Sequence, residues 1–257
     1  MKRVFLFSVI ISLSLSVYAQ NTYVLVTGVS RYAEQANNLR QTTKDATSFK
    51  AVMDKQTPNV SILTSKYANH DNVLAKLSSI CKQAKKNDRV VFYFSGHGFP
   101  GGIMAYDNPI YYNELTRILA SSAARDKVVY VDACHAGSVV KNNGGSYEVV
   151  RAAASQDNMI FFMACRGDEY SVEGNWVGAG YFTQSLLKGL RGKADRNGDR
   201  AISVIELFKY VYNDVYNRTR KMSIRQHPQL IAPKNCRENI LARWQLWFHP
   251  ARLYVRQ

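Results

Sequence analysis

Val90-Val91-Phe92-Tyr93-Phe94-Ser95-Gly96-His97-Gly98 and Val128-Val129-Tyr130-Val131-Asp132-Ala133-Cys134-His135-Ala136-Gly137 are built alike. In each, a short β-branched and aromatic run reads as a strand buried on both faces. Each run stops abruptly at a reactive side chain flanked by small residues. Between them, residues 112–123 place Leu115, Ile118 and Leu119 at helical spacing. Strand, helix, strand reads as a right-handed crossover, so the two strands should run parallel and end at one edge of the sheet. Open α/β sheets place their sites at that edge. His97 and Cys134 should therefore face one crevice. The pairing has a chemistry: a thiolate is the nucleophile, and a nearby imidazole activates it and later protonates a leaving amine.

Outward from this stretch the alternation continues. Residues 22–30 read as a first strand, 39–53 as a loop and helix, and 60–63 as a second strand. Asp71 is expected to cap a helix with Leu74, Leu77, Cys81 and Ala84 on one face. Beyond the centre, 159–164 reads as a buried strand, 181–190 as a helix, and 203–220 as a last helix with Ile205, Phe208, Tyr212 and Val215 inward. Residues 138–156 are polar, and Asn142-Asn143-Gly144-Gly145 is loop chemistry. Strands alternating with helices give an α/β class with a mainly parallel central sheet and helices on both faces.

With S-G-H-G after one strand and D-A-C-H-A-G after the next, the chain resembles the caspase-like cysteine peptidases, and among them the metacaspase branch. The resemblance runs over about residues 22–228. A caspase proper reads Q-A-C-[RQG]-G, with the histidine roughly 50 residues upstream. Here Asp132 takes the glutamine position, and His97 lies nearer the cysteine. The resemblance implies a caspase-like fold and a cysteine-type endopeptidase using a Cys134–His97 dyad, with no third acid required. It also implies an oxyanion hole from the Gly98 and Cys134 N–H groups, where preorganised donors are typically worth ~3 kcal/mol each. It further implies protein or peptide substrates with Arg or Lys before the scissile bond. His135 is read as structural.

Two carboxylates bear on that preference. Asp132 lies two residues before Cys134, on the same side of the strand's pleat. A carboxylate is costly to bury alone; it would serve as one wall of a pocket for a cationic substrate side chain, or be satisfied by backbone N–H groups. The stretch from Leu39 resembles the family's L-x-G-x-x-x-D-A element, with Gln41 where glycine is usual, and it carries over Asp45 to the crevice. Asp45 is equally explained as a first-turn carboxylate favouring the helix dipole. Lys141 and Arg151, in the polar segment after the nucleophile, are candidate self-cleavage sites for an enzyme of this preference.

Asp195, Asn197 and Asp199, with Glu206 twelfth, resemble an EF-hand calcium loop. Arg200 departs from the pattern, because the sixth position wants glycine and a cation there opposes Ca²⁺. Ser203-x-x-Glu206 is independently a helix-capping box. The chemistry requires no cofactor, and calcium stays open.

Composition bounds the rest. With 257 residues, 46% of them apolar, there is room for one large α/β domain. Residues 1–19 read as a signal peptide: Lys2 and Arg3, an apolar run, and Val17-Tyr18-Ala19 as cleavage site. The peptidase domain is expected over 20–228, exported to the periplasm or secreted, with 229–257 a tail of unassigned role. The formal net charge of +15 comes from cations spread along the chain, without a basic run interleaved with aromatics, so a solvated surface is favoured over nucleic-acid binding. No later segment approaches membrane-spanning length. Cys81 and Cys165 read as packed thiols; Cys236 has no assigned place. No glycine-rich phosphate loop follows a strand, which argues against a nucleotide-binding domain. The alternative function is a catalytically silent caspase-fold scaffold binding partners through its basic face. Oligomeric state is not legible.

Overall fold

The computed structural model describes residues 20–134, 146–166, 173–174, 179–222 and 225–243. In chain order, β1 (Thr22–Gly28) leads to α1 (Thr42–Met53), β2 (Val60–Thr64), α2 (His70–Gln83) and β3 (Arg89–Ser95). Next come β4 (Gly98–Phe99), β5 (Gly102–Met104) and β6 (Pro109–Tyr111), followed by α3 (Tyr112–Ala120) and β7 (Asp126–Asp132). Then follow α4 (Ser146–Asp157), β8 (Met159–Met163), a two-stranded pair β9 (Glu173–Gly174) and β10 (Ala179–Gly180), and α5 (Tyr181–Lys188). The chain closes with β11 (Ala201–Ser203), α6 (Val204–Thr219), β12 (Gln229–Ile231) and β13 (Ile240–Arg243).

The central sheet has the order β12-β8-β7-β3-β1-β2, parallel except for the edge strand β12. Its strands alternate between two cores because successive side chains point to opposite faces. On one face Leu25, Phe92, Phe94, Val129 and Val131 pack under α2, α3 and α4 through Leu77, Leu115, Leu119 and Val150. On the other, Val24, Val26, Tyr93, Tyr130 and Phe162 meet Phe49, Phe182, Leu186 and Val211 of α1, α5 and α6. Burial on both faces explains the continuous apolar runs of β3 and β7. Phe49 stacks on Tyr93 with centroids 4.2 Å apart, and Tyr130 stacks on Phe162 at 5.0 Å.

The crossover from β3 to β7 contains more than the expected helix. A three-stranded antiparallel ribbon, β4-β5-β6, precedes α3. Its strands are two or three residues long, too short for period-two alternation to register. α2 is capped by Asn69, whose side chain accepts from the Asn72 N–H, so Asp71 lies inside the first turn. The buried face of α6 is Val204, Leu207, Val211, Val215 and Thr219, one position away from the face read through Ile205, Phe208 and Tyr212. The aromatics are half-buried along its flank.

Two boundaries also move. Residues 146–157 form α4, so Arg151 lies exposed on a helix and not in a loop. Residues 229–243 belong to the fold: β12 completes the sheet and β13 pairs with β11. Cys236 is buried there, in the same core as Phe49. Cys81, Cys165 and Cys236 are buried, while Cys134 is half-buried. Among the described residues, no helix is long and apolar enough to cross a membrane.

Candidate active site

β3 and β7 run in register and both end at this edge of the sheet, with Ser95 opposite Asp132. The turns that follow are in contact. Gly96 N–H donates to the Asp132 carbonyl at 3.2 Å. A Cβ on Gly98 would collide with the Cys134 carbonyl and stand 2.9 Å from Ala133 Cβ, so only glycine lets these two backbones approach. The ribbon fixes the Gly98 amide. Met104 N–H donates to the His97 carbonyl, which makes Gly98 and Ile103 a non-hydrogen-bonded pair. The Gly98 N–H therefore points away from β5. An amide so placed beside Cys134 is suited to receive developing negative charge on a carbonyl oxygen.

His97 is held from three sides. Its backbone N–H donates to the Tyr32 hydroxyl at 2.8 Å, and the two rings lie 5.0 Å apart. Its Nε2 lies 2.8 Å from the Asn37 carbonyl. A carbonyl only accepts, so Nε2 carries a proton and the lone pair of the neutral ring is on Nδ1. Tyr32 and the short 3₁₀ turn Gln35–Asn37 come from the β1–α1 loop. Neither was singled out in the sequence: a backbone carbonyl leaves no residue-type signature, and Tyr32 looks like any loop aromatic.

A narrow cleft of about 80 Å³ opens between these turns, room for the head of one side chain; its walls include Asp45, Ser95, His97, Asp132, Cys134 and Gly180. Both sequence-derived aspartates are thus brought to the two candidate catalytic residues. Each is buried, Asp45 to 2% exposure and Asp132 to 5%. Asp45 Oδ2 accepts from Gly180 N–H at 3.2 Å and Ser95 Oγ at 3.4 Å. Asp132 Oδ2 accepts from Thr183 N–H at 3.1 Å and Thr183 Oγ1 at 2.6 Å. Since Thr183 Oγ1 donates to the carboxylate, it accepts from the Tyr93 hydroxyl 2.6 Å away. Burial pushes the Tyr93 hydroxyl well above its ordinary range, and the two carboxylates push it further, so it stays a donor.

Asp45 is at once a first-turn residue of α1 and a wall of the cleft. Asp132 lines the same cavity while a backbone N–H satisfies one of its oxygens. Gln41, where a glycine was usual, has φ −111°, which any residue adopts. Gly180, unremarked in the sequence, sits between the acids: its Cβ would stand 2.7 Å from Asp132 Oδ2 and 3.5 Å from Asp45 Oδ2. Thr183 follows one turn of α5 later.

Other candidates lie elsewhere. His135 and Lys141 are outside the described residues. In the loop from Asp195, the carboxylate accepts from Gly198 N–H at 2.7 Å and Arg200 N–H at 3.0 Å, and Arg200 adopts φ 63° where glycine was expected. Glu206 spends Oε2 on the Ser203 N–H and hydroxyl, and Oε1 lies 3.3 Å from the Arg196 N–H. Among the described residues, no three His, Cys, Asp or Glu side chains are grouped to hold a metal ion. Within this loop Asn197 and Asp199 likewise accept from backbone N–H groups, of Asp199 and Ala201 respectively, and Glu206 also serves as the cap of α6.

A parallel sheet with helices on both faces, a histidine turn after one central strand and a cysteine turn after its neighbour define a cysteine-peptidase-type fold. The caspase domain model matches residues 21–240, and the chain belongs to that family. Its fold is similar to that of a Geobacter sulfurreducens protein of known crystal structure (TM-score 0.64, 18% identity, 85% of this chain and 96% of that one). It is also similar to caspase-1 from Spodoptera frugiperda (TM-score 0.62, 12% identity, 83% and 89%). No curated protein sequence matches this chain significantly.

Proposed function

We propose that this chain is an exported, metacaspase-type cysteine endopeptidase that cleaves peptide bonds after Arg or Lys. One observation carries the reading: a single narrow cleft is walled by His97, Cys134, Asp45 and Asp132. The first pair supplies acyl-transfer chemistry, and the second supplies negative charge where the substrate side chain enters. Export rests on the pattern of residues 1–19.

The reaction follows from these positions. His97 Nδ1 takes the Cys134 thiol proton, and the thiolate sulfur bonds to the scissile carbonyl carbon. The carbonyl oxygen becomes an oxyanion facing the Gly98 and Cys134 N–H groups. The C–N bond breaks as His97 returns its proton to the departing amine, leaving a thioester on Cys134. Water, deprotonated by His97, then attacks the thioester. The acid product leaves, and the sulfur recovers a proton. The Asn37 carbonyl keeps the imidazole in the tautomer that leaves Nδ1 as base. The direct test is to incubate wild type and Cys134→Ala with a peptide library and sequence the products. Cleavage after Arg or Lys by wild type alone is expected; cleavage after Asp would end the acidic-pocket argument.

Asp132→Asn isolates the pocket. Asparagine keeps the shape and can still accept from Thr183, but removes one charge. Two carboxylates can serve the forked donors of a guanidinium more completely than one. kcat/KM for Arg and Lys substrates should therefore fall at least about tenfold, about 1.4 kcal/mol, with far less change for a neutral residue at that position. An equal loss for both kinds of substrate would assign Asp132 to structure alone.

Self-cleavage follows from the same preference. Lys141 stands among asparagines and glycines, whereas Arg151 is held in α4, and a peptidase that binds extended chain would have to unwind that helix. Purified wild type should carry a new terminus after Lys141, seen by mass spectrometry and absent from Cys134→Ala. A cut at Arg151 alone would contradict this order, and an uncut but fully active enzyme would show that cleavage is not required.

A further inference from the structure

Beside His97, on the side away from Cys134, lies a second and larger cavity of about 650 Å³ that the reaction above does not use. Its place follows from strand order. Cys134 follows β7, His97 follows β3, and the cavity is walled by residues following β1 (Arg31, Tyr32) and β2 (Lys66, Tyr67). Because the sheet runs β7-β3-β1-β2, nucleophile, histidine and cavity are met in that order along one edge. Tyr32 joins them, since it accepts from the His97 N–H and forms part of the cavity wall.

The chemistry fixes which half of the substrate would enter. The acyl half stays on Cys134, while the amine half departs from the nitrogen that His97 protonates. The chain attached to that nitrogen is therefore on the histidine side. Among the described residues the wall includes two cations, Arg31 and Lys66, and no carboxylate. Among the described residues neither cation forms a salt bridge. Ser65, at φ 47°, opens the short turn that leaves Lys66 and Tyr67 exposed at the rim, with Tyr67 61% exposed. Lys66 Nζ sits 5.2 Å from the centre of the Tyr67 ring. We infer that this cavity receives the residues following the scissile bond and selects acidic side chains there. Substrates would then be cut at basic–acidic junctions. The inference rests on the peptidase reading above and adds to it the specificity of the departing half.

The test uses peptides with Arg before the scissile bond and Glu, Gln or Lys at the next three positions, together with an Arg-aminocoumarin substrate that has nothing beyond that bond. Wild type should cleave the Glu series about tenfold faster in kcat/KM than the Lys series, since two exposed ion pairs each contribute modestly, and salt should shrink the gap. Arg31→Glu/Lys66→Glu should reverse the ranking, and the milder Arg31→Gln/Lys66→Gln should bring it near parity should the first variant fold poorly. Binding of the free Glu-bearing leaving fragment to wild type, followed by calorimetry, gives a readout without turnover and should disappear in the Gln variant. Equal rates across the series, or a preference for Glu that survives both variants, would overturn the inference while leaving the peptidase reading intact. Failure of wild type to cleave even the aminocoumarin substrate would overturn both.

Discussion

Cys134→Ala is expected to lower peptide hydrolysis by at least about 10⁴-fold, the scale seen when a covalent nucleophile is removed. Tm should stay within about 2 °C, because Cys134 is half-buried in a loop and such changes cost about 0.5 kcal/mol or less. His97→Ala should lose turnover comparably, with a larger stability cost from its bond to Asn37 and its contact with Tyr32. The thiols can also be told apart chemically. Burial raises the Cys81 thiol to about 11 and raises Cys236 as well, so both stay protonated at neutral pH. Alkylation by iodoacetamide should therefore fall first on Cys134 and track the loss of activity. Activity in Cys134→Ala within tenfold of wild type would reject the nucleophile. A wild type that hydrolyses nothing would favour the silent-scaffold alternative.

What the sequence disclosed and what it withheld divide along physical lines. β3 and β7 were legible because strands buried on both faces are written as unbroken apolar runs, and each ends in a glycine-rich or small-residue turn around a reactive side chain. The class of the fold follows from their alternation with helices. The ribbon β4-β5-β6 was not legible, since strands of two or three residues carry no period. The buried face of α6 was misplaced by one position because tyrosine and phenylalanine score as apolar, while the shorter Leu207 and Val211 fill the core. At the site, Asp132 and Asp45 could be named from spacing and resemblance. The groups that orient the site could not: Asn37 acts through its carbonyl, Gly180 through the side chain it lacks, and Thr183 through a fold contact spanning 51 residues. Long-range partners leave no local mark.

Asp126→Ala is expected to destabilise the fold by about 3–5 kcal/mol, because it strands a buried guanidinium. Arg89 and Asp126 face each other across β3 and β7 at the end of the sheet opposite the cleft, with side chains only 5% and 2% exposed. Asp126 Oδ2 lies 2.9 Å from Arg89 Nη2 and also accepts from Arg125 and Gln20, while Oδ1 accepts from Asn239 at 3.0 Å. Arg89 Nη1 donates to the Leu241 carbonyl, so the pair also ties residues 239–241 to the sheet. Burial alone would raise the Asp126 carboxyl, but Arg89 and Arg125 outweigh it and hold the carboxyl below its usual range. A lowered carboxylate stabilises fully above the unfolded value of ~3.9, and its contribution is lost as pH falls from there through the lower folded value. Wild type should therefore lose stability on acidification through that window, and Asp126→Ala should lose less of it. Thermal unfolding at neutral pH should show a drop of about 10 °C for Asp126→Ala. Arg89→Met/Asp126→Leu should recover much of it, because removing both charges leaves neither unpaired. If the double variant were as unstable as the sum of its parts, the contribution would be packing and not pairing. Arg-aminocoumarin turnover below the unfolding range should survive the change, since the pair lies a full strand length from Cys134.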